Sequence, residues 1–198
     1  MSARIDNLYK GLNMPFWLKA IIFGITTLLL VTVSRESLRS FGFHGFYRFF
    51  AWEMITALVI LNLDAWFVEP LAWYQLISWI LLILSLFLVI EGLRLLRLIG
   101  KPDTNRAGES LIGMEKTTQL VTIGVYKYIR HPLYSSLLFL AWGAFFKSPS
   151  WIGSALALGA SLFLILTAKA EEAENSQYFG VAYQAYQKHT QMFIPYVF

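Results

Sequence analysis

Apolar residues along the chain gather into long blocks separated by short polar stretches. The blocks cover positions 16–33, 49–68, 73–93, 132–146 and 151–170. Lys19 interrupts the first; Glu53, Asn62 and Asp64 interrupt the second; helix is expected to continue past the third, through Arg97. A helix that crosses a bilayer needs about 20 predominantly apolar residues, and these blocks are of that order. No strand-like alternation is long enough for a barrel. The fourth block is short, so it is expected to be tilted, to thin the bilayer or to be topped by polar helix. Lys147-Ser148-Pro149-Ser150 allows only a tight turn before the fifth, which predicts a helical hairpin. The first block is longer than the apolar core of a signal peptide and lacks a small-x-small cleavage site, so it is read as a span. The expected fold class is all-α, a polytopic membrane bundle of about five transmembrane helices in one domain. Within it, 1–97 holds three spans, 98–131 is a cytoplasmic loop, 132–170 is the hairpin and 171–198 is a cytoplasmic tail.

Composition sharpens this picture. Of 198 residues, 57% are hydrophobic, 17% aromatic and only 14% charged. Soluble domains average about 45–50% apolar and about 25% charged. So much apolar surface does not fit inside a soluble core of this size, and the aromatic richness excludes a disordered chain. The absence of cysteine excludes disulfides, thiolate metal sites, a catalytic thiol and a lipidated Cys. Trp17, Trp52, Trp66, Trp73 and Trp151 stand near block ends, where an interfacial aromatic belt places them. Asn62 is expected to bond between helices, and Glu53 and Asp64 to sit near span ends and reach the interface.

The net charge of +4 is a topology signal. With five spans, twelve Lys and Arg fall on one side of the membrane and four on the other. The positive-inside rule puts the richer side in the cytoplasm, hence an outside N-terminus and an inside C-terminus. Anionic lipid is an expected partner of these cations. Nucleic acid is not, because no soluble basic face exists.

Two polar regions, 98–131 and 169–198, flank the same hairpin on the expected cytoplasmic side. Pro132 suits the first turn of a helix, which sets Arg130 and His131 at its N-terminus, beside free amides and the positive dipole end. Across an antiparallel hairpin, His131 lies level with about residue 166. Glu171 is then about 7–8 Å further out at 1.5 Å per residue. This spacing predicts a His/Arg pair and a Glu pair facing each other across a gap fit for a small polar ligand. The plainer alternatives are snorkelling for Arg130 and His131, and solvation of a helix end for Glu171 and Glu172. Glu91 and Arg94, three apart, read as a structural ion pair. His44 and His189 have no partner spacing and receive no role. No metal-binding or dinucleotide motif is present.

The segment 120–126 and Arg130-His131-Pro132-Leu133-Tyr134 resemble the loop and RHPxY motif of the isoprenylcysteine carboxyl methyltransferase family. Glu171-Glu172 resembles that family's Glu-Glu pair. Phe179-Gly180, Tyr183, Tyr186 and Phe193-Ile194-Pro195 are similar to its FGxxYxxY tail and closing FIP. The resemblance covers 118–195 and reaches phospholipid N-methyltransferases and, more distantly, sterol reductases. It implies an integral membrane methyltransferase that uses S-adenosylmethionine and releases S-adenosylhomocysteine. It implies a cofactor pocket formed by the cytoplasmic loop and the C-terminal tail, with Thr118, Gln119, Leu120, Val121, Tyr126, His131, Pro132, Leu133, Tyr134 and Glu171 as its residues. Arg130 and Glu172 are then the catalytic candidates, with Arg130 orienting a substrate carboxylate. The implied substrate is lipophilic and enters from the bilayer: most simply an isoprenylcysteine carboxylate, alternatively a phospholipid amine. Where eukaryotic members carry an Arg one turn before the Glu pair, this chain has Thr167. A nicotinamide-dependent reductase and a non-enzymatic membrane protein are the remaining alternatives.

Overall fold

The computed structural model describes residues 14–101 and 117–197; Arg4, Lys10, Arg106 and Lys116 of the charge count lie outside them. Among the described residues six α-helices form: α1 Phe16–Val33, α2 His44–Leu61, α3 Trp73–Leu98, α4 Pro132–Phe145, α5 Trp151–Phe179 and α6 Val181–His189. Short 3₁₀ helices occupy Ser37–Arg39, Leu63–Ala65 and Gly124–Lys127. Among the described residues there is no strand, only an isolated parallel bridge between Ile129 and Gln191. The all-α architecture is as expected.

Among the described residues three helices, α1, α3 and α5, are long and apolar enough to cross a membrane. Their outer faces show why a bilayer is the natural solvent. Leu28 on α1 is 65% exposed, Phe87 on α3 52% and Leu158 on α5 60%. An apolar exterior this extensive on a monomer marks a membrane or partner surface. α4 is an apolar helix of 14 residues, and α2 has 18 but carries Arg48 and Glu53.

Long-range polar contacts fix the direction of each helix. At one end of the bundle, Lys19 Nζ meets Asp64 Oδ2 at 2.6 Å, and Gln75 Nε2 donates to the Lys147 carbonyl at 3.1 Å. At the other end, His44 Nδ1 lies 2.7 Å from Glu174 Oε2. The helices therefore run alternately up and down. Small residues let them approach closely: Ala51, Ala141, Ala144, Ala157 and Ala160 are fully buried. A Cβ on Gly143 would come within 2.9 Å of Leu82. Hydrogen bonds cross these tight contacts, from Ser78 Oγ to the Gly143 carbonyl at 2.7 Å and, as expected for Asn62, from its Nδ2 to the Ala144 carbonyl at 2.8 Å.

Three expectations change. The second helix starts at His44 and ends at Leu61, so Glu53 stands midway along it rather than near an end. There it accepts a hydrogen bond from Thr27 Oγ1 at 2.8 Å. α5 runs well past 170 to Phe179, because its polar residues continue the helix into solvent. Arg48 and Lys147, counted as loop cations, are each only 1% exposed. The Lys147 ammonium sits 3.3 Å from the Trp79 ring centroid and 5.5 Å from that of Trp66, and it donates to Gln75 Oε1 at 3.0 Å.

The chain beyond α5 reverses at Gly180, whose φ of +58° and ψ of −133° suit glycine. α6 folds back, and the segment after it pairs with the entrance to α4. Arg130 N–H donates to the Gln191 carbonyl at 2.8 Å, Gln191 N–H to that of Tyr128 at 3.0 Å and His131 N–H to that of Met192 at 3.2 Å. Ser135 Oγ, buried in α4, donates to the Phe193 carbonyl at 2.8 Å. The tail is thus built into the bundle end.

Candidate active site

Pro132 occupies the first position of α4, where its missing N–H costs no hydrogen bond. The His131 backbone just before it is non-helical, which turns its ring toward the polar extension of α5. Its Nε2 lies 3.3 Å from Glu172 Oε1 and its Nδ1 3.8 Å from Glu171 Oε2. Arg130 Nε donates to Glu172 Oε1 at 2.6 Å, with side chains only 11% and 14% exposed. Arg130 Nη1 also donates to the carbonyls of Gln187, at 3.3 Å, and Thr190. The gap expected between the basic and acidic pairs is therefore closed at Arg130, His131 and Glu172. Rise per residue fixes height along a helix, but the loop that carries residues 130–131 reaches further than that arithmetic allows.

A cavity lies beside this cluster. Its walls include Gln119, Leu120, Val121 and Tyr126 from the segment before α4, and His131, Pro132, Leu133 and Tyr134 from its start. Glu171 faces it from α5, and Arg130 borders it. Two predicted residues do not line it. Thr118 is exposed, with Oγ1 bonded to the Lys101 carbonyl at 2.9 Å, and Glu172 lies behind, in the Arg130–His131 contact. Sequence reasoning assigned no site role to Leu96, Thr117, Asn175, Phe179, Tyr183 and Tyr186, which complete the wall. Phe179, Tyr183 and Tyr186 belong to the FGxxYxxY tail and Asn175 stands one turn beyond Glu171; the motif and that spacing are the available signals. As closed, the cavity holds about 80 Å³.

The lining combines one carboxylate, Glu171, with Arg130, His131 and a group of aromatic side chains. Burial, then the nearby Glu171 and Glu172 carboxylates, push the Tyr183 phenol far above its ordinary range. Burial, then Glu171 and Tyr186, raise that of Tyr126, and burial raises that of Tyr186. All three phenols therefore stay protonated and do not serve as bases. Tyr186 donates to the Tyr126 carbonyl at 2.6 Å and so ties α6 to the 3₁₀ segment. His131 stacks on Tyr134 with ring centroids 5.4 Å apart. Among the described residues no cluster of His, Cys, Asp and Glu is arranged to hold a metal ion.

Thr167, at the position where an Arg was noted in eukaryotic relatives, is fully buried. Its Oγ1 donates to the Phe163 carbonyl in its own helix at 2.7 Å. It therefore offers an acceptor no cation. Arg130, the one permanent cation among the described lining residues, is engaged by Glu172 and two carbonyls.

Comparison with known proteins gives no significant match to a curated protein or to a solved structure. The sequence model of the family described as phospholipid methyltransferase does match, over residues 73–182. That span is more than half of the 198 residues and runs from the start of α3 to the first residues of α6. The chain belongs to the phospholipid methyltransferase family, integral membrane methyltransferases that act on lipophilic substrates.

Proposed function

We propose that this protein methylates the amine of a membrane lipid, using S-adenosylmethionine held in the cavity between the start of α4 and the polar end of α5. The observation that carries the proposal is the character of that cavity: one outward-facing carboxylate, a helix N-terminus and an apolar, aromatic wall in one place. Each part fits a part of the donor. Glu171 pairs with the ammonium. The first-turn amides of α4, which have no acceptor inside the helix, receive the carboxylate. Leu120, Val121 and Tyr126 hold the adenine by apolar contact. When bound, S-adenosylmethionine supplies an electrophilic methyl that an in-line nucleophile accepts while the S–C electron pair stays on sulfur. Ligand sites of this kind are roughly 300–1,000 Å³, larger than the closed cavity, so binding entails outward movement of α6 or of the 117–121 segment.

The chain's own residues then have defined tasks. An ammonium acceptor must lose a proton before it is nucleophilic. The Nδ1 edge of His131, turned to Glu171, is the acceptor for that proton. Glu172 orients the ring through Nε2. Arg130 holds Glu172 and clasps the tail, a positioning role rather than contact with substrate. The aromatic lid excludes water. The amine reading is favoured by the engaged Arg130 and by Thr167 in place of an Arg: among the described residues lining the cavity, no other Lys or Arg is present to meet a substrate carboxylate. The match of the RHPxY, Glu-Glu and FGxxYxxY motifs favours the second reading, O-methylation of a prenylcysteine carboxylate. We further propose that α2 and α4 cross the membrane with α1, α3 and α5, giving five spans with an outside N-terminus, and that the site faces the cytoplasm.

Transfer of a tritiated methyl group from S-adenosylmethionine in mixed micelles tests this. With phosphatidylethanolamine the label is expected in lipid and stable to alkali. Label only on a farnesylcysteine analogue, released by alkali as methanol, would establish the second reading. No label on either acceptor would overturn both.

A further inference from the structure

A second space opens on the other side of the 124–129 segment. It encloses about 690 Å³, within the roughly 300–1,000 Å³ of ligand sites. Leu84, Phe87, Leu88 and Glu91 line one side of it. They stand at i, i+3, i+4 and i+7, one face of α3. Seven residues at 1.5 Å each make that face about 10 Å long, running from the apolar middle of a candidate span to its polar end. Phe139 of α4 closes the opposite side. The apolar end takes a hydrocarbon chain; the polar end carries Glu91, Lys127 and Tyr128.

The charges at that end identify the occupant. Lys127 is exposed, and its ammonium stands 5.9 Å from the Tyr128 ring centroid. Among the described residues it makes no ion pair. Glu91 accepts from Arg94 Nη1 at both carboxylate oxygens, 3.2 and 3.4 Å, yet keeps 29% of its side chain exposed, so its further lone pairs face the groove. A cation and a carboxylate above a hydrocarbon groove complement a zwitterionic head group, its phosphate toward Lys127 and its amine toward Glu91. The groove is also continuous with the site. Ile129 lines the groove while its neighbour Arg130 borders the cavity. Phe193 lines the groove with its ring centroid 6.3 Å from that of His131.

We infer that this groove between α3 and α4 is a binding site for an aminophospholipid, one acyl chain along Leu84–Leu88–Phe139 and the head group between Lys127 and Glu91. Its role as the acceptor's seat rests on the amine-methylation reading above.

The test uses the full-length protein in mixed micelles and phosphatidylethanolamine with a photoreactive acyl chain. Labelling is expected to concentrate on Leu84–Leu88 and Phe139. Unlabelled phosphatidylethanolamine should compete at least five-fold better than phosphatidylglycerol. Lys127→Gln and Phe139→Trp should each cut labelling at least three-fold and raise the KM for lipid with kcat little changed. Uniform labelling of the exposed faces of α1 and α3, equal competition by phosphatidylglycerol, or unchanged labelling in Lys127→Gln would overturn the site. Adenosylhomocysteine binding is read separately in the same sample. Specific labelling without such binding supports the lipid site and sinks the methylation reading; binding without specific labelling does the reverse.

Discussion

Removing Arg130 is the sharpest single perturbation of the bundle end. Its guanidinium satisfies Glu172 Oε1 at 2.6 Å and the carbonyls of Gln187 and Thr190, in a contact where the two side chains are 11% and 14% exposed. Arg130→Met leaves Glu172 buried with His131 as its remaining partner and leaves two tail carbonyls short of a donor. Breaking a buried pair from one side costs about 3–5 kcal/mol, and the residual exposure places this case near the lower end, about 3 kcal/mol. The double variant Arg130→Met/Glu172→Leu removes the stranded charge as well. It should recover part of that loss, with a coupling of about 2 kcal/mol between the two sites. Equilibrium unfolding in mixed micelles measures all four corners of the cycle. Limited proteolysis reports the tail, which should be cut between 181 and 197 in Arg130→Met before the helices are. Arg130→Lys should restore little, since a single ammonium does not span a carboxylate and two carbonyls as a guanidinium fork does. A loss below about 1 kcal/mol, or additive single effects, would refute the clasp.

Three further predictions concern residues away from the cavity. His44 is wholly buried and grips Glu174 through both its main-chain N–H, at 3.0 Å, and its ring. His44→Ala should loosen the α5 extension and weaken adenosylhomocysteine binding at least five-fold by calorimetry, while His44→Asn recovers part; unchanged affinity in both would detach His44 from the site. Gly180 adopts a backbone that an L side chain rarely takes. Gly180→Ala should therefore destabilise tail docking by about 1–3 kcal/mol, seen as faster amide exchange in α6, whereas unaltered exchange would show that the turn tolerates a side chain. Burial pushes the Lys147 ammonium down to about 8 from 10.5, although the faces of Trp66 and Trp79 favour its charge. Between about pH 8 and 10.5 the unfolded chain then binds more protons than the folded one, so stability rises with pH across that window. Thermal unfolding of wild type should gain on Lys147→Met between pH 8 and 10; a constant difference would contradict the shift.

The contrast between what was legible and what was not follows range of interaction. The bundle's helices were readable because apolar blocks of span length have no other stable outcome in a bilayer. Pro132 marked the start of α4 through its own backbone restriction. The convergence of residues 130–134 on Glu171 was also readable, since a four-residue turn forces α4 and α5 together. What failed needed contacts between distant segments. Arg48 and Lys147 look like loop cations in sequence, but contacts within and between elements bury them, among them Trp52 for Arg48 and Trp79 and Gln75 for Lys147. His44 had no partner spacing because its partner lies 130 positions away. The tail is expected to close the pocket, but which of its residues line it is not legible, because their placement depends on the reversal at Gly180. Thr118 was assigned to the cavity by motif alignment, yet its hydroxyl turns to Lys101.

The central claim is that the cavity beside Glu171 holds the methyl donor, and calorimetric titration of the purified full-length protein with adenosylhomocysteine tests it most directly. The account predicts saturable one-site binding, weakened at least ten-fold in Glu171→Ala and nearly unchanged in Lys127→Gln, whose side chain faces the other groove. No binding by a folded wild type, or equal binding by wild type and Glu171→Ala, would contradict it.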